Sequence, residues 1–171
     1  MDMGGQSTPS ATTSAPARTG FNNADVSFLD MMYPHHSQAV DMARFVPSRS
    51  QNEQVRTLAS GIMNAQAPEM QQISKLLQSF GKPAPVVGAQ QMPGMPGMMS
   101  TEDMTALQGL SGKDFDRKWL QMMIDHHTGA ITMANTELTS GANTDAIAFA
   151  KGIVAAQQTE IDQMRALLGS S

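Results

Sequence analysis

The sequence predicts an all-α protein, an antiparallel four-helix bundle built from two repeated helical hairpins. A shift of 91 residues places FLDMMYPHHSQAVDMA (28–43) over WLQMMIDHHTGAITMA (119–134) without a gap, and LASGIMNAQAPEMQQISKLL (58–77) over FAKGIVAAQQTEIDQMRALL (149–168). Apolar residues in these stretches recur every three or four positions, the period of an amphipathic helix. Because one hairpin cannot bury its apolar face alone, the two should pack together about an approximate two-fold axis.

The first helix of the first hairpin (21–81) begins after Asn22 or Asn23, either of which can cap it. Pro47 should end this helix, because proline lacks a backbone N–H and its ring collides with the preceding turn. Pro34 lies within the helix and should kink it immediately before the paired histidines.

The second helix should begin at Ser50 and Glu53, which have the spacing of a capping box. Counting back from the turn predicted before this helix places Gly61 opposite His35. A glycine there would leave room for a ligand or a neighbouring side chain.

The second hairpin (101–169) follows a linker (82–100) and should open with a short helix. Ser111 begins a capping-box-like start for its first long helix, and Asn143 or Thr144 can cap the last helix. The sequence thus predicts one bundle domain (21–171).

Residues 1–20 are rich in Ser, Thr, Ala, Pro and Gly, a composition typical of a disordered tether. They lack the charged and apolar regions of a signal peptide. We expect that a signal or lipid-anchor segment precedes them in the unprocessed protein, and that the protein is periplasmic, secreted or at the cell surface.

Composition excludes several classes of protein. The net charge is -4 with scattered Lys and Arg, which argues against a nucleic-acid-binding face. No run of about 18 apolar residues is present to span a membrane. Cysteine is absent, so the chain has neither disulfides nor thiolate metal sites.

Histidine and methionine form the most specific pattern, since all four histidines lie in the repeated stretch. On a helix, Met31, His35 and Met42 share one face, and Met32 and His36 form a parallel line. Thioether and imidazole without thiolate favour Cu(I) and Ag(I), although a single methionine is more often a core filler. The candidate ligands on the helices are His35, His36, His126, His127, Met31, Met32, Met42, Met122, Met123 and Met133.

The linker ends in MPGMPGMMS (92–100), where no helix face explains the methionines. Flexible methionines at this spacing suit capture of Cu(I) or Ag(I), which accept few ligands. The alternative is a hydrophobic strap folded over the bundle. The additional candidate ligands are Met92, Met95, Met98 and Met99.

Gln66, Glu69, Gln157 and Glu160 fall on the apolar stripes of their helices. Buried polar groups need partners, so the glutamates should accept hydrogen bonds from His or Gln across the bundle, or orient the histidines. A direct ligand role for a harder metal is the other possibility.

With these residues in view, the sequence resembles the bacterial family named "domain of unknown function 305" from Phe21 to Leu168. The resemblance is carried by the duplicated M-x-x-HH-x-x-A-x-x-MA motif and by the GI-xxx-Q-xx-E that follows it. It implies a ferritin-like bundle of exported proteins, some of which act in copper or silver binding and tolerance. It also implies metal binding through the four histidines and the flanking methionines, and it brings no enzymatic activity.

The predicted function is therefore sequestration or transport of Cu(I) or Ag(I), with a copper-handling protein as a candidate partner. Binding should weaken below about pH 6 as imidazoles protonate. The alternatives are a di-iron or di-manganese oxidase and a metal-free structural or interaction module. The oxidase is disfavoured because no Glu precedes a His by three residues, as it does in ferritin-like di-metal sites.

Overall fold

The computed structural model describes residues 20–85 and 94–170. These ranges contain five helices and no strand, so the all-α prediction is confirmed. The helices are α1 (Asn23–Arg49), α2 (Glu53–Ser79), α3 (Thr101–Gln108), α4 (Gly112–Ser140) and α5 (Thr144–Gly169). Nearly all of the predicted tether and Met92 of the linker lie outside the described residues.

The four long helices pack as two hairpins joined through α1 and α4. The α1 helix lies along α2, α4 lies along α5, and α1 also lies along α4, whereas α2 and α5 approach each other much less. The two histidine-bearing helices therefore share the central contact. None of the helices in the described ranges has the length and apolar character needed to cross a bilayer.

Two hydrophobic clusters fill the interior. The first cluster includes Met42, Val46, Phe115, Trp119 and Met123. The second cluster includes Phe28, Leu29, Met32, Met133 and Phe149. On both α1 and α4 the histidine pair falls between the residues of the two clusters, so the imidazoles form a polar layer between two apolar ones.

The structure confirms the predicted start of α1 but not its predicted end. Asn22 caps the N-terminus in a capping box with Asp25. Pro47 does not end the helix, which continues to Arg49 with Ser50 N–H bonded to the Val46 carbonyl at 2.8 Å. Pro47 lies in the last turn, so the helix loses one backbone hydrogen bond there and ends two residues later.

The N-terminus of α2 corrects the predicted capping box. The cap is Asn52, whose side-chain oxygen accepts from the N–H groups of Gln54 and Val55. Ser50 instead accepts from the Asn52 N–H at 3.2 Å. The loop between α1 and α2 thus lies later in the chain than the sequence suggested.

The second hairpin shows the same pattern of agreement and correction. Ser111 occupies the cap position of α4 but its side chain makes no capping hydrogen bond. Asn143 caps α5 by accepting from the Asp145 and Ala146 N–H groups. One of the two predicted caps therefore functions as a cap.

Residues 94–100 of the linker form a strap that packs across α1 and α4. Met95 and Met99 are only 8% and 9% exposed, and they join the second and first clusters respectively. The Gln38 side chain donates to the Met99 carbonyl (3.0 Å) and accepts from the Met99 N–H (2.7 Å). The described part of the linker therefore matches the hydrophobic strap and not a free capture arm.

Two glycines allow the strap to touch α4. A Cβ on Gly129 would overlap the carbonyl of Pro96, and a Cβ on Gly97 would lie 2.6 Å from the Asp125 carbonyl oxygen. Gly97 also has a φ of +74°, which other residues adopt at a cost. The backbone of the strap thus lies directly on the backbone of α4.

Replacing Gly129 with alanine should destabilise the protein by about 1–3 kcal/mol, because the added methyl group meets backbone atoms that cannot rotate away. The matched control is Gly152→Ala, at an exposed position in α5 where a Cβ meets nothing within 4 Å. That change should stabilise the helix by about 0.5–1 kcal/mol. Urea unfolding measures both, and equal stability of the two variants would contradict the close packing of the strap.

Candidate metal centre

His35 and His126, the inner histidines, meet at the centre of the protein. Their ring centroids are 3.7 Å apart with an interplanar angle of 33°, and each residue is 1% exposed. They occupy equivalent positions in the two repeats, so the packing of α1 on α4 brings the two copies of the motif together. The structure thus joins two predicted ligands that are distant in sequence.

The inner histidines differ in their hydrogen bonds. His35 Nε2 lies 3.1 Å from the Pro96 carbonyl oxygen of the strap. Because a carbonyl only accepts, Nε2 carries the hydrogen and Nδ1 carries the lone pair. Neither ring nitrogen of His126 makes a hydrogen bond of ordinary geometry within the described residues. A buried imidazole whose two nitrogens make no ordinary hydrogen bond is the feature of this layer that most favours a bound ligand.

His36 and His127, the outer histidines, each pair with a glutamate of the neighbouring helix. His36 Nε2 is 2.7 Å from Glu69 Oε2, and His127 Nε2 is 2.5 Å from Glu160 Oε2. Each pair spans 33 residues, so the contact is repeated in both hairpins. The Nδ1 atoms of both rings are buried without a partner in the described residues. The glutamates therefore hold the rings by one nitrogen, as an orienting carboxylate does.

This pairing corrects the helix register inferred from the sequence. Gly61 does not face His35; it is exposed, and a Cβ there would meet nothing within 4 Å. The loop lies a few residues later than assumed, which moves Glu69 to the level of the histidines.

Two buried amide groups lie on the same helix faces as the glutamates. Gln66 and Gln157 are each 3% exposed, and the side-chain oxygen of each has no hydrogen-bond partner in the described residues. They are equivalent in the repeat, so each hairpin holds an unsatisfied oxygen acceptor. The polar interior predicted from the sequence is thus present, and part of it lacks partners.

The inner histidines are neutral at physiological pH. Burial, reinforced by the nearby His36 and His127, lowers the pKa of His35 to about 3, against the partial opposing effect of the Pro96 carbonyl. Burial, reinforced by the imidazoles of His35, His127 and His36, lowers the pKa of His126 well below its ordinary value, against a partial opposing effect of the His35 backbone. Neutral imidazoles keep a lone pair available for a metal ion.

The helical methionines lie in the apolar layers on either side of the histidines. Met32 and Met133 belong to the second cluster, with Met31 packed against it. The remaining predicted helical methionine ligands belong to the first cluster, and these are Met42, Met122 and Met123. Thioethers therefore border the imidazole layer on both sides.

Carboxylates do not converge into a metal-binding group. Within residues 20–85 and 94–170, no three His, Asp or Glu side chains come together in a way that could hold an ion. A di-iron or di-manganese oxidase requires such a group. The described residues therefore give no support to that alternative.

A buried pair of carboxyl groups was missed by the sequence analysis. Asp25 accepts from the N–H groups of Asn22 (2.7 Å), Ala142 (3.0 Å) and Asn143 (3.0 Å). Glu137 lies beside it and is 1% exposed. The position equivalent to Glu137 in the first repeat is Val46, and this departure from the repeat was the signal available in the sequence.

A side-chain hydrogen bond between the two carboxyl groups shifts the pKa of each. Burial and the neighbouring Asp25 raise the pKa of Glu137 to about 8. Burial acts in the same direction on Asp25, but Glu137 and the three backbone N–H groups together lower its pKa below the ordinary value. Glu137 thus holds a proton at neutral pH while Asp25 is ionised.

Comparison with known proteins finds a family model and several solved structures that resemble this chain. The sequence matches the model of the family described as a domain of unknown function (DUF305) over residues 25–168. No curated protein matched the sequence.

Several crystal structures are similar over most of their length. A DUF305 protein of Streptomyces coelicolor, thought to be secreted, has 34% identity and a TM-score of 0.78, covering 86% of this chain and 93% of that one. A DUF305 fragment from Deinococcus radiodurans has 32% identity and a TM-score of 0.80, with coverages of 90% and 99%. CopM in its Cu(I)-bound form has 28% identity and a TM-score of 0.72, with coverages of 85% and 96%. CopM has also been crystallised with Cu(II) and with silver.

The metal-free protein should lose stability as the pH falls below 6.5. Between 6.5 and about 3 the unfolded chain binds a proton at His35 that the folded protein does not, so the unfolding free energy falls with falling pH in this window. Each inner histidine should contribute a slope of about 1.4 kcal/mol per pH unit. Its lowered pKa also moves the expected weakening of metal binding at His35 from about pH 6 to more acidic conditions.

Urea unfolding from pH 7 to pH 4 measures this slope. The control is His35→Leu/His126→Leu, which keeps an apolar side chain at both positions and should show a shallower slope. Parallel pH profiles for the two proteins would contradict the lowered pKa of the inner histidines.

Proposed function

We propose that this chain, which belongs to the family described as a domain of unknown function (DUF305), binds Cu(I) or Ag(I) through imidazole and thioether side chains. The inner histidines form the centre of the site. The role is to sequester or carry the ion, without catalysis, outside the cytoplasm.

The observation that carries the proposal is the buried imidazole pair, in which neither ring nitrogen of His126 makes a hydrogen bond of ordinary geometry within the described residues. Leaving a buried polar group unsatisfied costs about 1–3 kcal/mol, so an empty site of this kind opposes folding. An ion bound by the lone pairs of His35 and His126 would offset that cost. The pair is therefore better explained as a ligand site than as core packing.

The ligand set favours an ion of low charge. The inner histidines are neutral, and the apolar layers beside them contribute only thioethers. Neutral nitrogen and sulfur donors cannot balance a hard divalent ion, whereas they suit Cu(I) and Ag(I). The similarity to CopM, whose Cu(I)- and silver-bound forms were crystallised, supports the same choice.

The outer histidines take a supporting or coordinating role in this proposal. Glu69 and Glu160 fix the Nε2 sides of the rings, which directs the lone pairs on Nδ1 into the interior. A hydrogen-bonded carboxylate also raises the basicity of an imidazole ligand. The same two glutamates are 27% and 19% exposed, so they link the buried layer to the surface.

The linker methionines differ from the helical ones in that they belong to the strap. Met95 and Met99 are buried in the apolar clusters by the strap, which favours a packing role for them. Met98 is packed against the second cluster, and a ligand role for Met92 stays a prediction.

We infer that the four long helices form an antiparallel, ferritin-like bundle, that the protein is periplasmic or secreted, and that a copper-handling protein exchanges the ion with it. The similarity to a Streptomyces protein thought to be secreted supports the location.

Titration with Ag(I) and Cu(I) tests the inner site, with Mg²⁺ and Ca²⁺ as non-binding controls. The parent protein should bind the soft ions, and His35→Leu/His126→Leu should lose the ion that the inner histidines hold. Glu69→Gln/Glu160→Gln should bind about 10–100-fold more weakly, the usual effect of removing an orienting partner.

Circular dichroism must show that each variant keeps its helical content. Full Ag(I) binding by a folded protein without the inner histidines would overturn the proposal. Tight binding of Mg²⁺ or Ca²⁺ by the parent would do the same, because those ions require oxygen ligands.

A further inference from the structure

The strap covers the imidazole layer on the side of α1 and α4. His35 Nε2 lies 3.1 Å from the Pro96 carbonyl oxygen, and the backbone of Gly97 lies against the backbone of α4. Gln38 fastens the strap with two hydrogen bonds to Met99, at 2.7 and 3.0 Å. An ion that approached the layer from this side would first have to displace the strap.

The other side of the layer is formed by α2 and α5, which approach each other much less than the other neighbouring helices do. Two grooves, each with a volume of about 650 Å³, open between them. The first groove lies between the later part of α2 and the early part of α5, and Glu69 lines it. The second groove lies between the early part of α2 and the later part of α5, and Glu160 lines it. The protein is thus open on the side away from the strap.

The two grooves are related by the internal repeat. The shift of 91 residues that superposes the hairpins also superposes most of the positions that line them. A Cβ on the glycine of either groove would meet nothing within 4 Å, so each glycine leaves its groove wide. A groove present in both hairpins, with the same residues, belongs to the duplicated unit. The corresponding pairs include Gly152 with Gly61, Glu69 with Glu160, and Gln72 with Gln163.

The two glutamates connect the grooves to the buried histidines. The Glu69 side chain is 27% exposed, and its Oε2 lies 2.7 Å from Nε2 of the fully buried His36. The Glu160 side chain is 19% exposed and makes the equivalent contact with His127. The rings of His127 and His126 are 6.4 Å apart between centroids, within the same layer. A carboxylate therefore reaches from each groove to an outer ring, and the inner rings lie directly beyond.

Acidic side chains outnumber basic ones in both grooves. The second groove contains Glu53 as well as Glu160 and, among the described residues that line it, no Lys or Arg. The first groove contains Asp145 as well as Glu69, against a single Lys75. An excess of negative charge in a groove attracts cations and raises their rate of encounter with it.

We propose that the two grooves are the ports through which Ag(I) or Cu(I) enters and leaves the imidazole layer, and that Glu69 and Glu160 pass the ion to the outer histidines. This inference rests on the proposed function and deepens it, because it concerns the route to the site and not the ligands of the site. The carboxylate gives the incoming ion a charged partner at the inner end of the groove. The outer imidazole lies one hydrogen-bond length further in, and the strap stays in place during exchange.

Filling the grooves tests the route. Gly61→Phe/Gly152→Phe adds an aromatic side chain to each groove at a position where the new Cβ meets no other atom. An obstacle on the path leaves the free and bound states unchanged, so uptake and release should slow by the same factor while the Kd stays constant. We expect release to slow by about tenfold or more, equivalent to a barrier higher by about 1.4 kcal/mol. Each single substitution should slow release less, since the other port stays open.

Release of Cu(I) to an excess of the chelator bicinchoninate, followed by absorbance in a stopped-flow instrument, measures the rate. Competition with the same chelator at equilibrium measures the Kd. The matched control is Ser60→Phe, at an exposed position about 100° round α2 from Gly61 that does not line the second groove. This variant should release Cu(I) at the parental rate, and circular dichroism should show that all variants keep their helical content.

The competing route passes under the strap. Gln38→Leu removes both hydrogen bonds to Met99 and should leave the release rate unchanged if ions use the grooves. Release at the parental rate from folded Gly61→Phe/Gly152→Phe would overturn the inference, and faster release from Gln38→Leu would then assign the route to the strap. A weaker Kd with unchanged release from the filled variant would also overturn it, because the grooves would then contribute to binding and not to passage.

The outcomes separate this inference from the proposed function. No binding of Cu(I) or Ag(I) by the parent protein would overturn both. A parent that binds these ions, with filled grooves that do not slow their release, would overturn the route alone.

Discussion

Four imidazoles buried in one layer are the constraint that organises this protein. Each ring has an N–H that needs an acceptor and a lone pair that needs a donor or an ion, and the interior offers few of either. The outer rings are provided for by glutamates on α2 and α5, and His35 is provided for by the strap. His126 lies where the two repeats meet, and neither of its ring nitrogens makes an ordinary hydrogen bond within the described residues. A metal ion bound there would supply the missing partner.

The two repeats share their ligands but differ in what covers them. At one end the strap closes over the layer through Pro96 and Gly97, and a carboxyl pair accompanies the methionines. At the other end Leu107 of α3 joins Trp119 and Val46 in a continuous apolar core. The duplicated hairpins thus differ at their ends, one with a continuous apolar core and the other with a buried pair of carboxyl groups.

The sequence was sufficient for the helices and for the composition of the histidine layer. Both depend on local information: the period of apolar residues and an ungapped repeat that includes every histidine. The glutamate partners were also accessible, because Glu69 and Glu160 fall on the apolar stripes of their helices. The helix ends were harder to predict from the sequence. Ser50 and Asn52 are both good caps, and only the three-dimensional course of the loop selects Asn52.

The remaining features depend on contacts between distant residues. The path of the strap is set by Gln38 and Gly129, which lie 61 and 32 residues from Met99 and Gly97 and have no sequence signature for that role. An error of a few residues in the loop moved Gly61 next to His35, because register in a hairpin is counted from its turn. Glu137 was overlooked because a single acidic residue in a long helix is ordinary until its burial is known.

The hydrogen bonds of Asp25 also bear on how the two repeats fold. The turn between α4 and α5 belongs to the second hairpin, yet the N–H groups of Ala142 and Asn143 are satisfied by a carboxylate at the start of the first. Asn22 donates to the carbonyl of Ser140 at the same junction. The second hairpin taken alone would expose these groups to water and lose its anchor, so the two repeats form one cooperative folding unit despite their internal similarity.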